Sequence, residues 1–339
     1  MQHRLHHGEL LDARGRLAEA GWSTAEVRRY DRATIAAPSW RVKEWDYYCA
    51  LTPDHGLALT VADNGYMGLL GVSWLDFGAR REVTENVMLP FPMGRMRLPA
   101  SADRGDVVID HAKMRIAFRH TTDGRVLTVD YPGFDGGRGL RGELRLAQSE
   151  MDRMVIATPF PKAPKAFYYN QKINCLPTDG EITVGTDTFT FEPASSFGVF
   201  DWGRGVWTYD NVWYWGSASG VVDSRTFGFN IGYGFGDTSA ASENMVFVDG
   251  VAHKLDRVTF HLPEGTYDGA PWKFSSNDGR FEMVFEPILD RCAAVDFKVL
   301  RSIQHQVFGR FTGHVVLDDG SRVAVTDLLG FTEEVRNRW

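Results

Sequence analysis

The residues best placed to do chemistry fall in two matched stretches. Residues 186–207, TDTFTFEPASSFGVFDWGRGVW, align without a gap on residues 318–339, DDGSRVAVTDLLGFTEEVRNRW, at an offset of 132 (318 minus 186). Gly198 meets Gly330, Asp201 meets Glu333, Arg204 meets Arg336 and Trp207 meets Trp339. An acid and an arginine three apart at a strand end can form a bidentate pair. A repeated pair of this kind reads as a structural clamp that closes each half, carried in the second half by Glu333, Arg336 and Trp339. In the first half Asp201 has Phe197, Phe200, Trp202, Trp207 and Tyr209 around it in sequence. A carboxyl in apolar surroundings has its pKa raised and can act as a general acid. Asp201 is therefore the candidate acid, with Arg204 as a ligand contact.

A second echo sets TENVM (84–88) against SENMV (242–246). It offers Glu243 and Glu85 as the catalytic counterpart of Asp201, and Asn244 and Asn86 as groups that orient a ligand. Adjacent strand residues face opposite sides, so one member of each Glu-Asn pair points inward and needs a partner. The aromatic run predicts Trp207, Tyr209, Trp213 and Trp215 on one face of an extended segment, as core packing or as a cavity wall. Tyr209 and Tyr214 would supply its polar tips.

Other chemistries lack their residues. His253, His261, His305 and His314 show no HxH or HExxH spacing, and His3, His6 and His7 read as a solvated arm, so no metal is expected. GFNIGYGFGD matches neither a phosphate loop nor a dinucleotide fingerprint, and no GxSxG element occurs, so no cofactor is expected. Cys49, Cys175 and Cys292 form no CxxC and read as core thiols of a reducing compartment.

The elements that must position these groups are strands. Asn64-Gly65, Asp123-Gly124, Asp179-Gly180, Asp249-Gly250, Asp278-Gly279 and Asp319-Gly320 each flank apolar or alternating segments, the signature of hairpin turns. Helical patterns are confined to residues 11–21 and 149–155. Aromatics at 13% favour strands and apolar pockets. Consecutive hairpins hide their edges most simply by curling into barrels. The fold class expected is all-β: two tandem antiparallel barrels from an internal duplication, with residues 1–39 as an N-terminal arm, 40–207 as the first barrel and 208–339 as the second. A net charge of −7 without a basic block excludes a nucleic-acid footprint, and no apolar run is long enough to span a membrane. With no secretory leader in the first residues, a cytoplasmic protein is expected.

The phrases KEWDYY (43–48), FDWGRGVWTYDNVWYWGSASG (200–220), GFNIGYGFGDTSAASENMVFVDG (228–250) and GFTEEVRNRW (330–339) resemble a bacterial family catalogued as a domain of unknown function, number 2804. That family is distantly similar to two-domain lipocalin-like proteins of the carotenoid 1,2-hydratase type. The resemblance implies two β-barrels with a ligand cavity in or between them. Those relatives carry an Asp/His/Glu/Trp cluster near a domain end, whereas this chain keeps the acid there and lacks the histidine.

The expected function is that of a cofactor-independent isomerase, hydratase or cyclase. It would act on a small, largely apolar molecule in a barrel cavity, with Asp201 as acid, Glu243 or Glu85 as its counterpart, and Tyr209, Trp213 and Asn244 as orienters. A carrier or sensor of a lipid-like molecule, and a carbohydrate-processing enzyme, remain as alternatives. A carrier predicts that every buried acid is paired with an arginine, whereas an enzyme predicts an unpaired one.

Overall fold

The computed structural model describes residues 2–296 and 301–338. Trp339, assigned above to the clamp, lies outside the described residues. Two large antiparallel sheets form two modules. The main path of the first runs Arg81–Pro90, Met67–Asp76, His55–Asp63, Lys43–Leu51, Phe197–Val206, Phe167–Val184, Leu140–Ala147, Gly124–Tyr131, Met114–Thr121, Val107–His111. The second runs Val251–Lys254, Met245–Val248, Arg225–Tyr233, Asp210–Val222, Arg322–Arg338, Arg301–Val316, Phe281–Asp296, Trp272–Ser276, Val258–His261. Both follow one order: a four-strand meander runs back to the module's first strand, and the module's last strand lies between that first strand and a long one. Asp201 and Glu333 thus occupy corresponding last strands.

Each sheet curls because alternate side chains must be buried on one face. Tyr48 reaches Phe118 across the first module, with ring centroids 4.7 Å apart, and Tyr214 reaches Phe260 across the second at 5.9 Å. Rings such as Phe200, Trp202, Phe229, Phe281 and Phe311 fill the two interiors. The cavity expected inside a barrel is therefore occupied by side chains. A separate set of buried polar groups, among them Asn170, Lys172, Asp201, Glu243, Gln306 and Glu333, collects where the modules meet.

Several local expectations change. Residues 11–21 and 149–155 are not helical: Leu11 bridges Leu17, Gly15 turns at a φ of +69°, and Met154 already begins a strand. Such short segments cannot offset the cost of helix nucleation while Leu10, Leu11 and Met154 are drawn into the cores. Asp179-Gly180 is not a turn either. Gly180 lies inside Phe167–Val184 at a φ of +131°, between two neighbouring strands, where an added Cβ would stand 2.2 Å from the Glu143 carbonyl. The N-terminal segment packs Leu5, Leu10, Leu11 and Tyr30 into the first core, and its Gly21–Ser23 strand pairs with Met154–Pro159. Among the described residues no helix is long and apolar enough to cross a membrane.

The seam is continuous. A bulge between Ile173 and Leu176 turns Asn174 and Cys175 outward, where Asn174 Nδ2 donates to Ser217 Oγ (2.8 Å) and the Phe229 carbonyl (2.9 Å), and the Cys175 amide donates to Ser219 Oγ (2.9 Å).

Candidate functional site

Period two sorts the last strand of the first module. Phe200, Trp202 and Val206 enter its core, so Val199 and Asp201 face the second module. The neighbouring strand behaves alike: Phe167, Tyr169 and Ile173 point inward, whereas Tyr168 and Lys172 face the seam. Lys172 lies directly across from Asp201, with Nζ 2.8 Å from Oδ2 and seated 3.6 Å from the ring centroid of Trp215. Asn170 Nδ2 donates to Asp201 Oδ1 at 2.6 Å and Trp45 Nε1 to Oδ2 at 3.1 Å.

The second module supplies two more acids. Glu333 accepts from Trp213 Nε1 (3.1 Å) and Gln306 Nε2 (3.3 Å), and Gln306 in turn accepts from the Tyr47 hydroxyl of the first module (3.1 Å). Glu243 arrives on the 234–244 loop. That loop is docked on the first module: the Asp237 amide donates to the Pro159 carbonyl (2.8 Å), and Thr158 Oγ1 donates to the Phe235 carbonyl (3.3 Å). Gly236 is required there, since its φ is +76° and a Cβ would stand 2.7 Å from Thr158 Oγ1. Phe235 forms the hub of an aromatic wall, edge-on to Tyr168 (4.7 Å), Trp213 (5.1 Å) and Trp207 (5.2 Å).

Three carboxyls and the Lys172 ammonium are thus buried and electrostatically coupled at the seam, with Asp201 and Glu243 each 6% exposed, Glu333 9% and Lys172 3%. Burial pushes the Glu243 carboxyl up to about 7; Lys172 and Lys254 pull against this and Asp201 adds to it. Burial also pushes Glu333 up to about 7, opposed by Lys172, the Trp213 hydrogen bond and Arg291. The Tyr168 phenol is driven well above its usual range, first by burial and then by Glu243, Asp201 and Glu333. Among the described residues no hydrogen bond reaches the Glu243 carboxylate, whose Oε2 lies over Gly232, 3.4 Å from where a Cβ would be. Two carboxyls poised near neutrality can hold or release a proton without strong acid or base.

The structure brings together Asp201, Glu243, Glu333, Trp207 and Trp213 and separates the rest. Asp201 does not pair with Arg204. Three is an odd spacing, which sends strand residues to opposite faces, and Arg204 is buried inside the first module, bound to Asp46 (2.8 Å) and the carbonyls of Trp45 (2.6 Å) and Pro99 (2.8 Å). Glu333 and Arg336 separate for the same reason: Arg336 pairs with Glu334, two residues away on its own face, at 2.6 Å. Asp201 is the salt-bridge partner of Lys172, 2.8 Å away, and the carboxyls that burial pushes up are Glu243 and Glu333. The TENVM and SENMV echoes fall in different places, on the fourth strand of one module and on a loop entering the third strand of the other. Glu85 consequently accepts from the Asp135 amide (2.9 Å), away from the seam, and Asn86 is exposed. Asn244 is a buried loop clamp, bonded to the Gly232 amide (2.8 Å) and the Asp256 carbonyl (2.7 Å). Tyr209 is 52% exposed because residues 207–209 leave the strand before Asp210–Val222 begins.

Tyr214 faces the opposite way from Trp213. It lines a recess of about 430 Å³ at the mouth of the second module with Phe260, Leu262, Tyr267, Glu334 and Arg336, where Glu334 accepts from both phenols. Cys292 is exposed, with Sγ 3.8 Å from His305 Nε2, while Cys49 and Cys175 are buried. Lys172, Asn170, Trp45, Trp215, Gln306 and Phe235 were not singled out from sequence. A usable signal was present in FYYNQKIN (167–174), where Asn170, Lys172 and Asn174 recur at every second position of a strand that also carries Gln171.

A β protein of two curled antiparallel modules with titratable acids walled in between them is the class that this fold and site define. The chain belongs to the family described as Domain of unknown function (DUF2804), which matches residues 2–339. Among solved structures it is similar to a protein assigned as AttH from Nitrosomonas europaea, with a TM-score of 0.55 and 13% identity over 92% of this chain and 98% of that one. It is also similar to kievitone hydratase from Nectria haematococca, with a TM-score of 0.51 and 11% identity over 98% of each chain. At these identities the likeness is one of fold. No curated protein sequence matches the chain.

Proposed function

We propose that the protein is a cofactor-independent enzyme that moves a proton on a small, largely apolar molecule at the seam between its modules, in an isomerisation, hydration or cyclisation. The observation that carries this reading is Glu243, a buried acid held near neutrality with no hydrogen bond to its carboxylate among the described residues. A carrier has no use for such a group, whereas a proton-transfer enzyme needs one. Glu243 donates or accepts the proton, Glu333 is its counterpart, and the Lys172–Asp201 pair supplies a fixed field that does not have to reorganise during reaction. Trp45, Tyr168, Trp213 and Phe235 provide the apolar wall. The neighbour whose name is kievitone hydratase shares the fold and fits this reaction class. A carbohydrate-processing role, which needs two carboxyls facing each other across an open cleft, finds no support at these buried carboxyls.

Native mass spectrometry of gently purified protein would identify a co-purified molecule, and incubating that molecule or its precursors with enzyme would test turnover. The reading expects Glu243→Gln to bind the molecule but lose at least a hundredfold in kcat. Undiminished turnover by the variant would exclude Glu243 as the proton carrier. A ligand returned chemically unchanged by the wild type would make the protein a carrier.

A further inference from the structure

We propose that His3, His6 and Glu19 form a surface site for one borderline divalent cation of the zinc or nickel class. His3 Nε2 stands 2.5 Å, and His6 Nδ1 2.7 Å, from the same oxygen, Glu19 Oε1. All three donor atoms lie within 4.8 Å of one another. Two imidazoles converging on one carboxylate oxygen form an N2O donor set on one side of a centre, with the other side open to water because both histidine side chains are exposed (47% and 79%). Tetrahedral ligands at about 2.0–2.2 Å from an ion stand about 3.3–3.6 Å from one another, so the two histidine–carboxylate pairs, now 2.5 and 2.7 Å long, must open by roughly 0.6 to 1.1 Å, a movement open to exposed histidine side chains. Imidazole with carboxylate selects zinc, nickel or copper over magnesium or calcium, which favour all-oxygen shells. The other Glu19 oxygen is engaged by Arg28 and by the His6 amide (3.1 Å), which orients the carboxylate and leaves Oε1 for the ion. The histidine spacing alone gave no hint of this, because the third ligand comes from a segment thirteen residues beyond His6.

The position gives the site a structural consequence. The His3 amide donates to the Ala240 carbonyl (2.8 Å), Gln2 Nε2 donates to the Leu255 carbonyl (2.8 Å), and Gln2 Oε1 accepts from the Ser242 amide (2.7 Å), so the chain start grips the loop that delivers Glu243. The same segment is joined to the first module through hydrogen bonds between His3, Leu5 and Trp22. An ion at His3, His6 and Glu19 therefore fastens a strap that crosses both modules. Because it binds only the folded arrangement, it raises the melting temperature.

Tag-free, full-length protein freed of metal would be titrated calorimetrically with zinc, nickel and magnesium chlorides. The expected result is one site for zinc and nickel and none for magnesium. Affinity should fall tenfold or more in His3→Asn and in His6→Asn, and stay unchanged in His7→Asn. A chelator-reversible rise in melting temperature should appear in the wild type and be absent from the His3→Asn/His6→Asn double variant. Because both side chains are exposed, these variants are expected to fold, and their metal-free melting curves check this directly. No one-to-one binding, or binding undiminished in the two single variants, would overturn the proposal.

Discussion

Replacing Glu243 by glutamine should stabilise this protein above neutral pH and do little in acid. The Glu243 carboxyl rises from an ordinary 4.5 to about 7 in the fold, chiefly through burial. A proton is therefore held more tightly folded than unfolded, so the stability contributed by the protonated acid is fully present below about pH 4.5 and is lost as pH rises to about 7. The difference between 4.5 and about 7, at about 1.4 kcal/mol for each factor of ten in proton affinity, amounts to about 3 kcal/mol. Glutamine keeps the shape and cannot ionise. The variant should match the wild type within about 1 kcal/mol near pH 4.5 and exceed it by about 2 to 3 kcal/mol at pH 8. At about 2.1 cal/mol/K per residue over 339 residues, the unfolding entropy is about 0.7 kcal/mol/K, so the gain at pH 8 reads as about 4 °C in Tm. Chemical denaturation and thermal melts at both pH values provide the assay. An equal effect at the two pH values, or a loss of stability at pH 8, would mean that Glu243 does not hold its proton more tightly in the folded protein.

Other perturbations have different signatures. Lys172→Met removes the cation that pairs with Asp201 and pulls on both Glu243 and Glu333; denaturant titrations should show a loss of about 3 to 5 kcal/mol at pH 8 and a smaller one at pH 5. Arg204→Met leaves Asp46 buried without its partner and should cost about 3 to 5 kcal/mol, measured the same way, while leaving the seam acids in place. Gly236→Ala forces a left-handed φ on alanine and meets Thr158, so it should cost about 1 to 3 kcal/mol, and hydrogen exchange should reveal the 234–244 loop loosened from the first module. Iodoacetamide should label only Cys292 in the native protein, because Cys49 and Cys175 are buried and their thiols are pushed up to about 12; mass spectrometry of peptides counts the labels.

Strand content was legible because turn chemistry is local. Asn64-Gly65 and Asp319-Gly320 turn as their dipeptides demand, and Asp179-Gly180 departs only because two neighbouring strands crowd Gly180 on both sides. The corresponding positions of Asp201 and Glu333 were legible from the gapless alignment of their strands. Their partners were not, because an acid and an arginine three apart cannot share a face of a strand, a geometric point that outranks the attraction of opposite charges. The candidate site was half legible: Asp201, Glu243 and Trp213 stand at the seam, but the groups that define their chemistry, Lys172 and Gln306, lie in segments brought together only by docking of the modules. Glu85 was misplaced because resemblance between two pentapeptides does not fix which strand each occupies.

Two glutamates in the seam, Glu243 and Glu333, change protonation near neutral pH. Side-chain carboxyl carbon resonances followed by NMR across pH 4 to 9, in protein labelled at glutamate, test it directly with Glu243→Gln and Glu333→Gln as assignments. Two resonances with midpoints near 7 are expected, one vanishing in each variant. If every glutamate titrates in the ordinary range near 4.5, the seam holds no poised acid and the account is wrong.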